Sequence, residues 1–204
     1  MNEPVAGVIL AGGLARRMGG GDKGMIRLAG KPLLDHVIER LKPQTQALII
    51  NANGEPSRFS KYGLPVVKDS IEGAAGPLAG VLSGLDWAAE HGFSHIVSAA
   101  TDTPFFPRDL VAKFAAVKKQ QGADLAVAAS RGRQHPVFGL WPCGLREDLR
   151  RALAEEGVRK VDRWTARHRL AVADFEARDY DPFFNANRPE DLSEAETILS
   201  RYSP

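Results

Sequence analysis

Short apolar runs alternate with one-sided helical stripes along most of the chain. Val5-Ala6-Gly7-Val8-Ile9-Leu10 is apolar throughout and ends in glycines, the pattern of a strand buried on both faces. Residues 31–42 predict a helix. Pro32 suits its first turn, Leu33, Leu34, Val37, Ile38 and Leu41 share one face, and Pro43 stops it. Ala47-Leu48-Ile49-Ile50-Asn51 is a second buried strand, and Pro65-Val66-Val67 a short third. The polar gap at residues 52–64, with Gly54, Pro56 and Gly63, reads as a surface loop.

Pro77 opens a helix carrying Leu78, Val81, Leu82 and Leu85, capped by Gly92. His95-Ile96-Val97-Ser98-Ala99 is the next strand. Pro107 opens a helix with Leu110, Val111, Phe114 and Val117 inward. Leu125–Ala128 and Pro136–Leu140 predict two more strands; 145–155 and 189–200 predict helices. Strands alternating with helices imply an α/β layer fold around a mostly parallel sheet. No repeat, low-complexity tract or linker interrupts the pattern, so one domain over residues 1–204 is expected.

Composition narrows the class. Hydrophobic residues make up 44% of the 204 and charged residues 25%, as in soluble globular proteins. A net charge of +2 is too mild to argue for nucleic-acid binding. Cys143 stands alone, which excludes an internal disulfide and a multi-cysteine zinc site. No apolar run approaches the roughly 20 residues of a membrane span, and Met1–Pro4 carries no secretory pattern. A soluble cytoplasmic protein is expected.

In open α/β sheets, ligands collect beyond the carboxyl ends of the strands. The residues there are the Gly12 loop, Asn51, Asp69 and Asp102. Residues 12–21 hold five glycines, with Arg16, Arg17 and Lys23 adding three positive charges. Such a backbone turns sharply and brings N–H groups to an anion. The arrangement makes a cradle for a nucleoside triphosphate, where Lys23 would neutralise charge during transfer. The dinucleotide pattern G-x-G-x-x-G is absent. The Walker pattern fails because Met25 follows Gly24. A solvated basic loop is the competing account.

Carboxylates beside a triphosphate have an obvious use, which is holding Mg²⁺. Asp102, in Ala100-Thr101-Asp102-Thr103-Pro104, is the candidate ligand; a helix-capping or turn role is its alternative. Asn51 and Asp69 fit ordinary turns as well as nucleotide contacts.

The stretch L-A-G-G-x-x-x-R-M-G-G-x-D-K, from Leu10 to Lys23, resembles the signature loop of the nucleotidyltransferases that finish the molybdenum cofactor. Leu10, Ala11, Gly12, Gly13, Arg17, Met18, Gly19, Asp22 and Lys23 match it position by position. Gly76-Pro77-Leu78-Ala79-Gly80 is similar to the family's G-P-L-x-G. Asn185-Ala186-Asn187-Arg188-Pro189-Glu190-Asp191-Leu192 is similar to N-x-N-T-P-E-D-L, with Arg188 in place of Thr. Thr101 stands where the family usually has Cys.

The resemblance implies a three-layer Rossmann-like nucleotidyltransferase fold. It also implies Mg²⁺-dependent transfer of GMP from GTP to the terminal phosphate of molybdenum-molybdopterin. On that reading Arg17, Lys23 and Asp102 are catalytic, with Asp102 the metal ligand. Leu10, Ala11, Gly12, Gly13, Lys23, Asn51, Asp69 and Asp102 hold GTP. Gly76, His135, Asn185 and Asn187 line the pterin side. The expected protein is a monomer whose partners would be molybdenum-insertion and molybdoenzyme-maturation proteins. Cytidylyl relatives typically read L-A-A-G, so Gly12 speaks for guanine. A sugar-1-phosphate nucleotidyltransferase and a binding-only GTP module remain as rivals. Cys143 has no evident activating partner, and the three tryptophans read as core or interface packing.

Overall fold

The computed structural model describes residues 3–12, 22–73 and 76–202. The strands in chain order are β1 (Val5–Leu10), β2 (Arg27–Leu28), β3 (Lys31–Pro32), β4 (Ala47–Asn51), β5 (Val66–Val67), β6 (His95–Ala100), β7 (Leu125–Ser130), β8 (Arg133–Pro142) and β9 (Leu170–Asp174). The α-helices are α1 (Leu33–Leu41), α2 (Pro77–Glu90), α3 (Leu110–Gln121), α4 (Arg146–Ala154), α5 (Val161–Thr165) and α6 (Pro189–Tyr202). Seven strands form one sheet in the order β5-β4-β1-β6-β8-β7-β9.

β8 alone runs against its neighbours, pairing antiparallel with both β6 and β7. The pairs β5·β4, β4·β1, β1·β6 and β7·β9 are parallel. The reversal at β8 follows from its connection to β7, the two residues Arg131 and Gly132, with φ of 49° and 73°. Two consecutive left-handed residues make a hairpin turn, and a hairpin forces antiparallel pairing.

Helices cover both faces, giving three layers. On one face α1 and α3 bury Leu34, Val37, Leu110 and Phe114 against a cluster that includes Phe106, Phe138, Phe175 and Phe183. On the other, α2, α4 and α5 bury Leu78, Leu82, Leu85, Leu153 and Trp164 beside Trp141. A third cluster, with Leu28, Leu33, Phe105, Ala195 and Ile198, packs α6 onto the β2–β3 hairpin. Trp141 donates to Ser98 Oγ at 2.7 Å, and Trp164 to Asp148 Oδ2 at 2.8 Å, so both buried indoles are satisfied.

Several elements depart from the sequence reading. Lys31 and Pro32 pair with Arg27 and Leu28 instead of starting α1, because Ala29 (φ 49°) and Gly30 (φ 78°) close a hairpin turn. α3 starts at Leu110, three residues after Pro107. The stretch expected as loop holds a 3₁₀ helix, Pro56–Tyr62, which buries Phe59. α5 and β9 are additional elements.

Candidate active site

β1, β4, β5 and β6 are mutually parallel neighbours and end at one edge. Ala11 and Gly12, Asn51 to Asn53, Asp69, and Thr101 to Thr103 therefore gather there. The Ala11 amide donates to the Asn51 carbonyl at 2.8 Å, extending the β1·β4 ladder to the start of the glycine-rich loop. Leu10 is half-buried, Ala11 buried and Gly12 exposed. A Cβ on Gly12 would meet nothing within 4 Å among the described residues. Gly13, Arg16, Arg17, Met18 and Gly19 lie outside the described residues.

The chain re-enters at Asp22 and Lys23. Lys23 opens a 3₁₀ turn that Gly24 seats against Thr101, whose Cγ2 would lie 3.3 Å from a Cβ at Gly24. Thr101 is buried and packs on this turn. The turn sends the Lys23 ammonium to Asp102 Oδ2 at 2.9 Å and to Asn187 Oδ1. Three distant segments thus meet on one Nζ atom. The Lys23 and Asp102 side chains keep 22% and 19% of their surface exposed, enough to be reached by a ligand.

Asp102 is held through its backbone as well. Its carbonyl accepts the Ala186 amide at 2.7 Å. Thr103 Oγ1 donates to Asn185 Oδ1 at 2.5 Å and lies 3.3 Å from Asp102 Oδ1. The Asn187 and Arg188 amides donate to Asp191 Oδ2 at 2.7 and 2.8 Å, capping the start of α6. Arg188 thereby takes part in the cap through its backbone.

A second network forms at the ends of β4 and β5. Asn51 is buried, and its amide nitrogen donates to Asp69 Oδ1 at 3.0 Å and to the Val67 carbonyl at 3.2 Å. Asn53 donates to Asp69 Oδ2 at 2.7 Å and accepts the Asp69 amide at 3.0 Å. Both Asp69 oxygens are oriented, each with acceptor capacity left. Gly80 of α2 makes room for this network, since a Cβ there would lie 2.2 Å from Asn51 Oδ1. Arg58 joins the network to the signature loop. Its Nε is 3.0 Å from Asp22 Oδ2, and its guanidinium also donates to the Asn53 carbonyl.

The four residues expected on the pterin side separate. Asn185 and Asn187 come to Asp102 and Lys23 on one loop. His135 stacks on Phe183 of that same loop, with ring centroids 4.6 Å apart. Burial pushes the imidazole below its ordinary pKa, opposed by Asp181 and assisted by Arg133, which favours the neutral ring. Gly76 instead caps α2 with φ 94°, beside the Arg159 carbonyl. Sequence reasoning missed Asn53, Arg58, Thr103, Ser130 and Asp181. Only Thr103 carried a local signal, its place directly after Asp102.

No group of three or more His, Cys, Asp or Glu side chains converges among the described residues. Asp102 is a single carboxylate beside a cation. That donor set fits Mg²⁺ bound largely through substrate phosphates and water, which needs only one or two protein carboxylates.

A family model described as the MobA-like NTP transferase domain matches residues 7–171. The chain belongs to this family. The match includes Lys23, Asn51, Asp69, Asp102 and His135 but ends before Asn185. Full-length relatives extend over that segment. The molybdenum cofactor guanylyltransferase of Bradyrhizobium sp. (strain ORS 278) is 57% identical over 198 residues, 96% of this chain and 93% of the relative. That of Mesorhizobium japonicum is 46% identical, covering 98% of each chain. Among solved structures, molybdopterin-guanine dinucleotide biosynthesis protein A from Archaeoglobus fulgidus is similar with a TM-score of 0.76. It is 26% identical, covering 96% of this chain and 99% of that one. The Archaeoglobus protein thus shares the fold of this chain. No helix among the described residues is long and apolar enough to cross a membrane.

Proposed function

We propose that this chain transfers GMP from GTP to the terminal phosphate of molybdenum-molybdopterin, forming the guanine dinucleotide cofactor and releasing pyrophosphate. The observation that carries this reading is the convergence of Lys23, Asp102 and Asn187 at one ammonium. It joins the end of the nucleotide loop, the metal-ligand candidate and the Asn-x-Asn segment expected near the second substrate. The names of the relatives supply the substrates.

The Asp69 carboxylate, oriented by Asn51 and Asn53, accepts N–H groups of guanine. Leu10, Ala11 and Gly12 lie beneath the nucleoside, and a methyl group at Gly12 would meet none of the described residues. Gly13 and Arg17 complete the phosphate cradle. The acceptor phosphate is anionic near neutral pH, so its oxygen attacks the α-phosphorus without a strong general base. One P–O bond forms and the α–β P–O bond breaks, with its electron pair leaving on pyrophosphate. Lys23 has three N–H donors and spends two on Asp102 and Asn187. The third has no partner among the described residues and is the one to bind a phosphate oxygen and stabilise the charge that develops. Mg²⁺, held by Asp102, would neutralise the phosphates when bound. Asn185 and Asn187 hold the pterin side, so the Lys23–Asn187 bond sets acceptor and donor in register.

On this reading the protein works in the cytoplasm as one monomeric nucleotidyltransferase unit. It receives the pterin from molybdenum-insertion proteins and passes product to molybdoenzyme-maturation proteins. Asp102→Ala tests the site. Turnover should fall by about 100-fold or more, the scale for losing one preorganised electrostatic group. GTP binding, measured by calorimetry, should weaken far less. Retained Mg²⁺-dependent turnover would remove Asp102 as the metal ligand.

A further inference from the structure

A hydrogen-bonded chain beside the transfer site has no part in the chemistry above. β7 ends at Ser130, and the turn at Arg131-Gly132 brings His135 back opposite Ala128. Ser130 Oγ is 2.7 Å from His135 Nε2 and 2.7 Å from Asp181 Oδ1. The same Asp181 oxygen accepts the Phe183 amide at 2.9 Å. An ionised carboxylate only accepts, so the Ser130 hydroxyl gives its single proton to Asp181. Ser130 Oγ then accepts from His135. That fixes the imidazole as the Nε2–H tautomer and leaves Nδ1 with a free lone pair.

The chain is well placed to hold that state. Ser130 is fully buried. The His135 ring lies on Phe183 at an interplanar angle of 17°. His135 is half-buried, and among the described residues its Nδ1 has no hydrogen-bond partner, whereas Nε2 is bonded to Ser130. Two residues beyond Phe183 the same loop carries Asn185, bonded to Thr103, and then Asn187, bonded to Lys23.

We propose that Asp181 and Ser130 are positioning residues that hold His135 as an oriented acceptor in the pterin subsite, where Nδ1 receives an N–H of the heterocycle. This rests on the function proposed above. A bare lone pair repels a phosphate and attracts an amide or amine N–H. The ring of the acceptor substrate is therefore drawn to His135 and its phosphate to Lys23, which sets the direction in which the substrate lies.

The test begins with ¹⁵N NMR of the histidine rings in the ligand-free full-length protein. His135 should show a protonated Nε2 and a bare Nδ1. Ser130→Ala should give a mixture of tautomers, and Ser130→Thr should restore the single one. In steady state, Ser130→Ala should raise KM for the pterin about fivefold, the effect of one hydrogen bond of about 1 kcal/mol. KM for GTP should stay within about twofold. An Nδ1–H tautomer in the wild-type protein, or one unchanged in Ser130→Ala, overturns the proposal. So does an equal rise in both KM values. A wild-type protein inactive with the pterin overturns the subsite assignment through the function itself, and the NMR result then reports on the Asp181–Ser130–His135 chain alone.

Discussion

Gly80→Ala adds one methyl group at the tightest contact of the candidate site. A Cβ there would sit 2.2 Å from Asn51 Oδ1 and 2.7 Å from Leu10 Cδ2. Helix propensity alone favours alanine by about 1 kcal/mol. Against that, Asn51 is buried, and its amide is committed to Asp69 and the Val67 carbonyl. If it turns aside, two hydrogen bonds of about 1 kcal/mol each are lost. If it stays, α2 must shift, and overpacking costs about 1–3 kcal/mol. Either way the net expectation centres on a loss of about 1 kcal/mol. At roughly 2–4 °C per kcal/mol for a domain this size, the melting temperature should fall by about 2–4 °C. Freeing Asp69 should also raise KM for GTP about fivefold, the equivalent of one hydrogen bond. Gly144→Ala is the control, because a Cβ there meets nothing within 4 Å. Thermal unfolding and steady-state kinetics of both variants decide the matter. A Gly80→Ala protein as stable as Gly144→Ala, with unchanged KM for GTP, would refute the close-approach argument.

Gly12→Ala should leave the melting temperature within about 2 °C of wild type, as surface changes within about 0.5 kcal/mol do, since Gly12 is exposed and its Cβ meets no atom of the described residues. It should nevertheless lower the preference for GTP over CTP, and a thermal shift without a change in preference would reverse that assignment. Ser98→Ala strands the fully buried Trp141 indole N–H, so unfolding should become easier by about 1–3 kcal/mol; an unchanged denaturation midpoint would contradict it. His95 and His135 are both held below their ordinary pKa chiefly by burial. The unfolded chain therefore takes up protons near pH 6.5 that the folded protein refuses, so stability present above that pH is lost as the pH falls below it. A urea midpoint that rises between pH 7 and pH 5.5 would show the opposite sign.

The parallel half of the sheet was legible because strands buried on both faces are continuous apolar runs, and Val5–Leu10 and Ala47–Asn51 have the bounds the pattern predicts. β9 went unread although Leu170-Ala171-Val172-Ala173 repeats the Leu125–Ala128 run; it lies at the sheet edge, its residues alternately half-buried and buried until Asp174 is exposed. α5 is five residues long, too short for a helical stripe. Asp102 could be read as a candidate because it follows a buried strand, and Lys23 because it ends a recognisable loop. Their partnership with Asn187 spans 164 residues from Lys23, and no local pattern reports it. Arg58, Ser130 and Asp181 are likewise ordinary polar residues whose roles come from tertiary contacts. The departure at Thr101 has a plain account, since its side chain packs on the Lys23 turn.

The transfer itself is tested most directly by mass. The protein, Mg²⁺ and molybdenum-loaded molybdopterin would be incubated with GTP or with CTP, and pyrophosphate and dinucleotide product quantified. Product with GTP, and little with CTP, is the predicted result. Product mainly with CTP would contradict the guanine assignment, and product with neither, while GTP still binds, would contradict the transfer.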